Sequence, residues 1–259
     1  MISKIKKILN KKNKSKIICI TSYSKNVSEA IDSYTDIILV GDSLGSVLYN
    51  YSTTRKVTLN QMIEHSKSAR SGIKNSLMVV DMPYKTYLNK RIALKNAKKI
   101  MKETKCDAIK IEGGSSIIKI IEYLIKNKVP LMGHLGVLPQ SVRGKFKFKG
   151  KKIKDRNKIF NDAKLLQDKG VFSIVLECVE TTLAKQITKS LKIPTIGIGS
   201  SQNCDGQVLV IDDLIGLNET KTKFVKKFGR VKKNISQAAR SFKREVLSKK
   251  YPTRKYSYN

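Results

Sequence analysis

At 259 residues, 40% of them hydrophobic, the chain is long enough for one large core or two small ones. A formal net charge of +33, from 53 Lys and Arg against 20 Asp and Glu, is spread over helical stretches and loops rather than gathered in one arm, which predicts weak, salt-sensitive attraction to anions and no specific nucleic-acid partner. No apolar run nears the roughly 18 residues of a membrane span, the four cysteines form no C-x-x-C pair, and two histidines are too few for a His-rich zinc site.

Met1 to Lys16 is a basic lead with no long apolar segment behind it, so no secretory signal is read there and a cytoplasmic, reducing setting is expected. Ile17 to Thr21 predicts a first strand and Val27 to Tyr34 a short helix. Ile37 to Val40 predicts a buried strand that stops at Gly41-Asp42-Ser43. Ser46 to Thr58 is a polar, tyrosine-bearing loop long enough to cover a substrate. Thr58 caps a helix to about Gly72, with Glu64 and Lys67 outward and His65 surface or packing. Ser76 to Val80 is the third strand, ending in Asp81 before Pro83, and Leu88 to Thr104 a helix with Ile92, Ala93, Ala97, Ile100 and Met101 on its inner face.

Ala108 to Ile111 is the fourth strand, ending in Glu112. Ser115 and Ser116 open a helix with Ile117, Ile118, Ile121, Leu124 and Ile125 at helical spacing. Pro130 to Gly133 is the fifth strand, ending in His134, and a basic loop runs from Leu138 through Arg143 to Lys152. Ile159 to Lys169 is a helix stopped by Gly170. Ser173 to Leu176 is the sixth strand, ending in Glu177, and Thr181 to Leu191 the next helix. Pro194 to Gly199 and Gln207 to Ile211 complete the strands, and from about Lys221 the chain is helical and basic, then tyrosine-rich. Cys19 and Cys178, in strand-like runs, read as small buried hydrophobes.

Strand and helix alternate about eight times with no linker between them, which predicts a single (β/α)₈ barrel over residues 1–259 with a basic lead and a basic helical C-terminal extension. A doubly wound open sheet is the competing architecture. Gly197 and Gly199 alone lack the remaining glycine and the acidic partner of a dinucleotide fingerprint.

Active sites of such barrels lie at the C-terminal ends of the strands, where Asp42, Asp81 and Glu112 fall on successive strands. Each acid alone reads as readily as a helix cap or a lysine partner. Gathered together they repel one another unless a cation joins them, and hard oxygen ligands suit Mg²⁺. Lys110 and Glu112, two apart, point to one side, so a buried Lys110 needs either a substrate carboxylate or Asp81 as partner. Ser43 is a hydroxyl donor or a helix N-cap. Glu177, behind an apolar run, suits a general base or a lysine pairing. His134 orients a substrate or is a hydrogen-bonded core residue.

Five ordered stretches carry a resemblance: Val40-Gly41-Asp42-Ser43-Leu44-Gly45, Lys110-Ile111-Glu112-Gly113-Gly114, Gly133-His134-Leu135-Gly136 with Pro139-Gln140-Ser141-Val142, Leu176-Glu177-Cys178-Val179, and Ile196-Gly197-Ile198-Gly199 with Asp205-Gly206-Gln207. In this order, from about Ile18 to Asp213, the chain closely resembles the ketopantoate hydroxymethyltransferases. The resemblance implies a (β/α)₈ TIM barrel of the phosphoenolpyruvate/pyruvate-like superfamily. It implies transfer of a hydroxymethyl group from 5,10-methylenetetrahydrofolate to 3-methyl-2-oxobutanoate, giving 2-dehydropantoate through a metal-stabilised enolate. By matching positions, it implies Mg²⁺ on Asp42, Asp81 and Glu112, keto-acid contacts at Asp42, Ser43, Asp81 and Lys110, and Glu177 as proton acceptor. It also implies a homodecamer of two pentameric rings. Two departures stand out: Ser24 where the family's first strand is usually followed by an acid, and Ser201 where it usually has glycine.

Overall fold

Among the described residues, eight short apolar runs pair side by side, all parallel, and close on themselves: β1 (Ile17–Thr21), β2 (Ile37–Val40), β3 (Leu77–Asp81), β4 (Ala108–Glu112), β5 (Leu131–Gly136), β6 (Ser173–Glu177), β7 (Thr195–Ile198) and β8 (Gly206–Leu209). The structure is a computed structural model that describes residues 2–141, 148–220 and 222–258. Val142, the Arg143–Lys147 part of the basic loop, and Lys221 lie outside the described residues. The closed sheet excludes the open doubly wound alternative. It belongs to a compact unit spanning Met1–Val210; Ile211–Asn259 forms a second.

In the first unit, α1 (Ile2–Asn10) precedes β1. The helices that follow are α2 (Lys25–Ile31), α3 (Leu44–Val47), α4 (Leu59–Arg70), α5 (Lys90–Thr104), α6 (Ile118–Lys126), α7 (Ile153–Asp168) and α8 (Thr181–Ser190). The local chemistry is visible at their starts. Thr58 and Gln61 form a reciprocal capping box on α4, the Asn89 side chain caps α5, and Glu180 accepts two backbone N–H groups of α8.

Side chains two apart on a strand share a face. Ile17, Cys19, Ile37, Leu39, Leu77, Val79, Ala108, Met132, Val175, Ile196 and Val208 gather in one buried cluster inside the barrel. Ile8 joins it, with Ile5 and Leu9 packed against it, so the basic lead is an amphipathic helix that lays its apolar stripe on the barrel's interior. The same alternation carried toward the C-terminal ends puts Asp81, Lys110, Glu112, His134 and Glu177 in line with these interior residues.

The opposite ends of the strands carry acids of another kind. Asp36, Asp107 and Asp205 stand just before β2, β4 and β8. Each accepts a backbone N–H at the start of the preceding strand: Ile18 at 2.9 Å, Met78 at 2.9 Å and Thr195 at 2.9 Å. Asp205 also meets Lys12 Nζ at 2.8 Å, both side chains nearly buried. Asp32 similarly gathers the N–H groups of Lys74, Asn75 and Ser76.

Several sequence expectations shift. β5 runs on to Gly136, because its ladder with β6 continues through Gly136 and Glu177, so His134 lies within the strand rather than after it. Ile92 is 39% exposed, since the buried stripe of α5 is set by Ala93, Ala97, Ile100 and Thr104 and Ile92 falls outside it. α7 starts at Ile153, six residues early; Arg156 in its first turn binds Glu180 and Gln186 across to α8. Cys178 is half-buried beyond the end of β6, with φ 48°.

The second unit contains α9 (Ile211–Leu214) and α10 (Val231–Leu247). α10 carries exposed Ile235, Phe242, Val246 and Leu247, and Phe242, Tyr251 and Tyr256 form successive ring contacts. Among the described residues no helix is long and apolar enough to cross a membrane.

Removing Asp205 takes the countercharge from the nearly buried Lys12 ammonium, which keeps only the neutral Thr188 carbonyl among the contacts described, and strands the Thr195 N–H. Asp205→Ala is therefore expected to cost about 3–5 kcal/mol of stability, read as a lowered midpoint in urea. Lys6→Ala, on the exposed side of α1, is expected to stay within about 0.5 kcal/mol.

Candidate active site

The C-terminal mouth of the barrel brings Asp42, Asp81, Lys110 and Glu112 together, each 5% exposed or less. Asp81 and Lys110 are register partners on β3 and β4. Lys110 Nζ lies 2.8 Å from Asp81 Oδ1, while Asp81 Oδ2 accepts the backbone N–H of Asp42 at 3.1 Å. Of the two partners the sequence allows for Lys110, Asp81 is thus in place. Glu112 is the register partner of His134 on β5.

The alternative reading of these acids as helix caps does not describe them, since the side-chain caps fall on Thr58, Asn89 and Glu180. Ser43 stands at the N-cap position of α3 without a capping bond; its hydroxyl meets the Tyr23 hydroxyl at 2.9 Å. His65 links the neighbouring loops, with Nδ1 2.9 Å from the Tyr23 carbonyl and Nε2 3.0 Å from the Tyr49 hydroxyl.

His134 sits between two acids. Its Nδ1 is 3.6 Å from Glu112 Oε1 and its Nε2 3.1 Å from Glu177 Oε2. Neither ring nitrogen has an aligned hydrogen-bond partner among the described residues. Burial, reinforced by the Lys110 ammonium, holds the imidazole below its ordinary pKa. Glu177 differs from the other acids in reach, with 18% of its side chain exposed. Its placement rests on close backbone packing: a Cβ at Gly136, φ 98°, would run into the Glu177 carbonyl. The left-handed Cys178 that follows is fixed from both sides, its N–H on Ile198 and its carbonyl on the Lys149 N–H, each at 2.8 Å.

Gln140 is the participant to which the sequence reading gives no role. Its backbone N–H reaches Glu112 Oε2 at 3.1 Å and its side-chain Nε2 reaches Asp42 Oδ2 at 2.8 Å. Its only sequence signal was membership of the Pro139-Gln140-Ser141 stretch. Ser24 stands at the N-cap of α2 without a capping bond, and Ser201 is buried, its hydroxyl accepting from Asn203.

The charges in this cluster do not cancel. Burial and the neighbouring Asp81 push the Asp42 carboxyl up to about 7. Burial and Asp42 push Glu112 well above the ordinary carboxylate range. Burial opposes the charge of Lys110, but Asp81, Glu112 and Asp42 outweigh it and raise its pKa. A cation would relieve this repulsion, and the donor set is all hard oxygen. Among the described residues no three His, Cys, Asp or Glu side chains converge as a ready ligand set. Hard oxygen donors are the kind that Mg²⁺ takes, with waters completing its coordination.

Solved structures that share this architecture include a member of the PEP mutase/isocitrate lyase superfamily. A 2,3-dimethylmalate lyase of that superfamily superposes with TM-score 0.63 at 10% identity, covering 80% of this chain and 77% of that one. A phosphonopyruvate hydrolase superposes with TM-score 0.62 at 8% identity, covering 98% and 93%. These likenesses define the class by its fold, a (β/α)₈ barrel. The family model for ketopantoate hydroxymethyltransferase matches residues 2–254. A Pelagibacter ubique protein described as 3-methyl-2-oxobutanoate hydroxymethyltransferase is 64% identical over 98% of this chain and 99% of its own length. An Anaplasma marginale protein of the same description is 40% identical over 100% and 94%. The chain belongs to the ketopantoate hydroxymethyltransferase family and is an enzyme of that kind, transferring a hydroxymethyl group to form ketopantoate.

The raised carboxyls set a pH dependence. The folded chain retains protons that the unfolded chain releases above about pH 4, so the part of the stability in chelator that these carboxyls set is expected to fall as pH rises from there through about 7, the Asp42 value. Asp42→Asn is expected to flatten that fall, measured as urea midpoints across the interval.

Proposed function

We propose that this chain transfers the hydroxymethyl group from 5,10-methylenetetrahydrofolate to 3-methyl-2-oxobutanoate, giving 2-dehydropantoate, with Mg²⁺ held by Asp42, Asp81 and Glu112. The observation that carries this reading is the buried carboxylate set with one ammonium at the barrel mouth, in a chain of this family. When bound there, Mg²⁺ supplies Lewis acidity toward the oxygens of the keto acid. Lys110 offers an ammonium to the substrate's carboxylate end, and Ser43 offers a hydroxyl; Asp42 and Asp81 line the same end. Low exposure strengthens these interactions by excluding water.

Glu177 takes the C3 proton. Its partial exposure supports this role, because a base must reach the substrate while the buried acids hold charge. The neutral His134 beside it does not compete as a cation for the Glu177 carboxylate. The carbon nucleophile formed at C3 then bonds to the methylene carbon delivered by the folate, the bonds from that carbon to the folate nitrogens break, and one water supplies the hydroxyl oxygen, so that tetrahydrofolate leaves. The working unit in this reading is a homodecamer of two pentameric rings in the cytoplasm, each protomer a single barrel domain with a basic lead and extension, as the resemblance implies.

The test is product formation from purified chain, keto acid and 5,10-methylenetetrahydrofolate, with Mg²⁺ and with chelator. Metal-dependent 2-dehydropantoate is expected. Folded, Mg²⁺-supplied chain that makes none would overturn the reading. Asp42→Ala and Glu112→Ala are expected to lose metal-dependent turnover, and an unchanged rate in either removes that ligand. Glu177→Gln is expected to keep Mg²⁺ and keto-acid binding in calorimetry while turnover falls by about 10²–10⁴-fold. Normal turnover removes Glu177 as base.

A further inference from the structure

Gln140 lies in the loop after β5 and is 3% exposed. It touches three of the segments that build the mouth. Its Nε2 donates to Asp42 Oδ2 at 2.8 Å and to the Met82 carbonyl at 3.0 Å. Its backbone N–H donates to Glu112 Oε2 at 3.1 Å. Its Oε1 accepts the Tyr87 hydroxyl. The amide has only one satisfactory orientation. A carboxylate oxygen and a carbonyl, both acceptors, face Nε2, and a phenol donor faces Oε1; turning the amide over would set oxygen against oxygen on one side. Both amide ends and the backbone N–H are thereby used, and a buried polar group with all partners satisfied is rigid.

The consequence for the acids is specific. Asp42 and Glu112 repel each other, and Gln140 is the one residue among the contacts described that donates to both side chains. Each carboxylate gives one oxygen to Gln140. We propose that Gln140 is a positioning residue: it fixes Asp42 and Glu112 relative to one another so that their remaining oxygens serve a divalent cation, with Tyr87 locking the amide. This rests on the Mg²⁺ assignment made above.

Outer hydrogen-bond partners of metal-holding side chains typically matter by about 10–100-fold in metal affinity or activity. The test uses full-length chain stripped with chelator, Mg²⁺ titrated by calorimetry, and initial rates measured against Mg²⁺ concentration. Gln140→Leu keeps the volume and removes the side-chain donors. It is expected to weaken Mg²⁺ binding by about 10–100-fold, to raise the Mg²⁺ needed for half-maximal rate by a similar factor, and to regain most of kcat at saturating Mg²⁺ with KM for the folate unchanged. Tyr87→Phe is expected to shift Mg²⁺ affinity the same way by about two- to tenfold.

A packing role alone lowers the melting temperature or the active fraction but leaves the Mg²⁺ half-saturation where it was. Folded Gln140→Leu with wild-type Mg²⁺ affinity would overturn the proposal. Should that variant not fold, Tyr87→Phe decides, and wild-type affinity there overturns it equally. Wild-type chain that binds no Mg²⁺ overturns the metal assignment and this inference together, whereas equal binding by wild type and variant overturns the role of Gln140 alone.

Discussion

The mouth of this barrel holds more buried negative charge than its protein partners can neutralise. Asp42, Asp81 and Glu112 share one ammonium, Lys110, at 5% exposure or less. Full ionisation of all three is opposed by burial and by mutual repulsion, as the raised Asp42 and Glu112 carboxyls show. Such a cluster persists only where the surrounding structure over-determines it. Two devices do so here. The Asp81–Lys110 pair follows directly from strand register, and Gln140 bridges the two acids that the ammonium does not contact at hydrogen-bond distance, its side-chain amide on Asp42 and its backbone N–H on Glu112.

The other end of the barrel supplies the complementary half of the design. There the carboxylates of Asp36, Asp107 and Asp205 accept strand-start N–H groups, and the Asp205 carboxylate has Lys12 beside it. α1 adds Ile8 to the interior cluster. Apolar area removed from water at about 25 cal/mol per Å² accumulates around these inward residues. The same residue type therefore acts in two ways: an aspartate before a strand satisfies backbone donors and stabilises, while Asp42, after β2, keeps a carboxyl pushed up by burial and by Asp81 and stands where such barrels do their chemistry.

The parts of this arrangement legible in the sequence are those with a short period. Strand alternation put Lys110 and Glu112 on one side, and runs of Ile, Val and Leu ending in acids marked the C-terminal edge. The barrel and the meeting of Asp42, Asp81, Lys110 and Glu112 followed from those local signals. What escaped depends on contacts distant in sequence. Gln140 meets Asp42 across 98 residues, and no periodicity relates them. Asp36 and Asp107 precede their strands, so a reading that looked only at strand ends passed over them, and Asp205 entered only as part of a motif. The β5 boundary was set short because Gly133 looks like a stop, whereas pairing with β6 carries the strand to Gly136.

Family membership and site geometry carry different weights in this argument. The family gives the reaction type through identity spread over the whole chain. It says nothing of why a glutamine should stand among carboxylates. Geometry answers that: an amide is the neutral group that donates to one acid while its own carbonyl is held by a phenol, so it separates like charges without adding a charge. A lysine at position 140 would neutralise the cluster and compete with a cation for it, and a glutamate would deepen the repulsion. A neutral donor leaves the excess negative charge intact, which is the condition for a divalent cation to find the site attractive. The excess charge and the residue that orders it are thus two sides of one requirement.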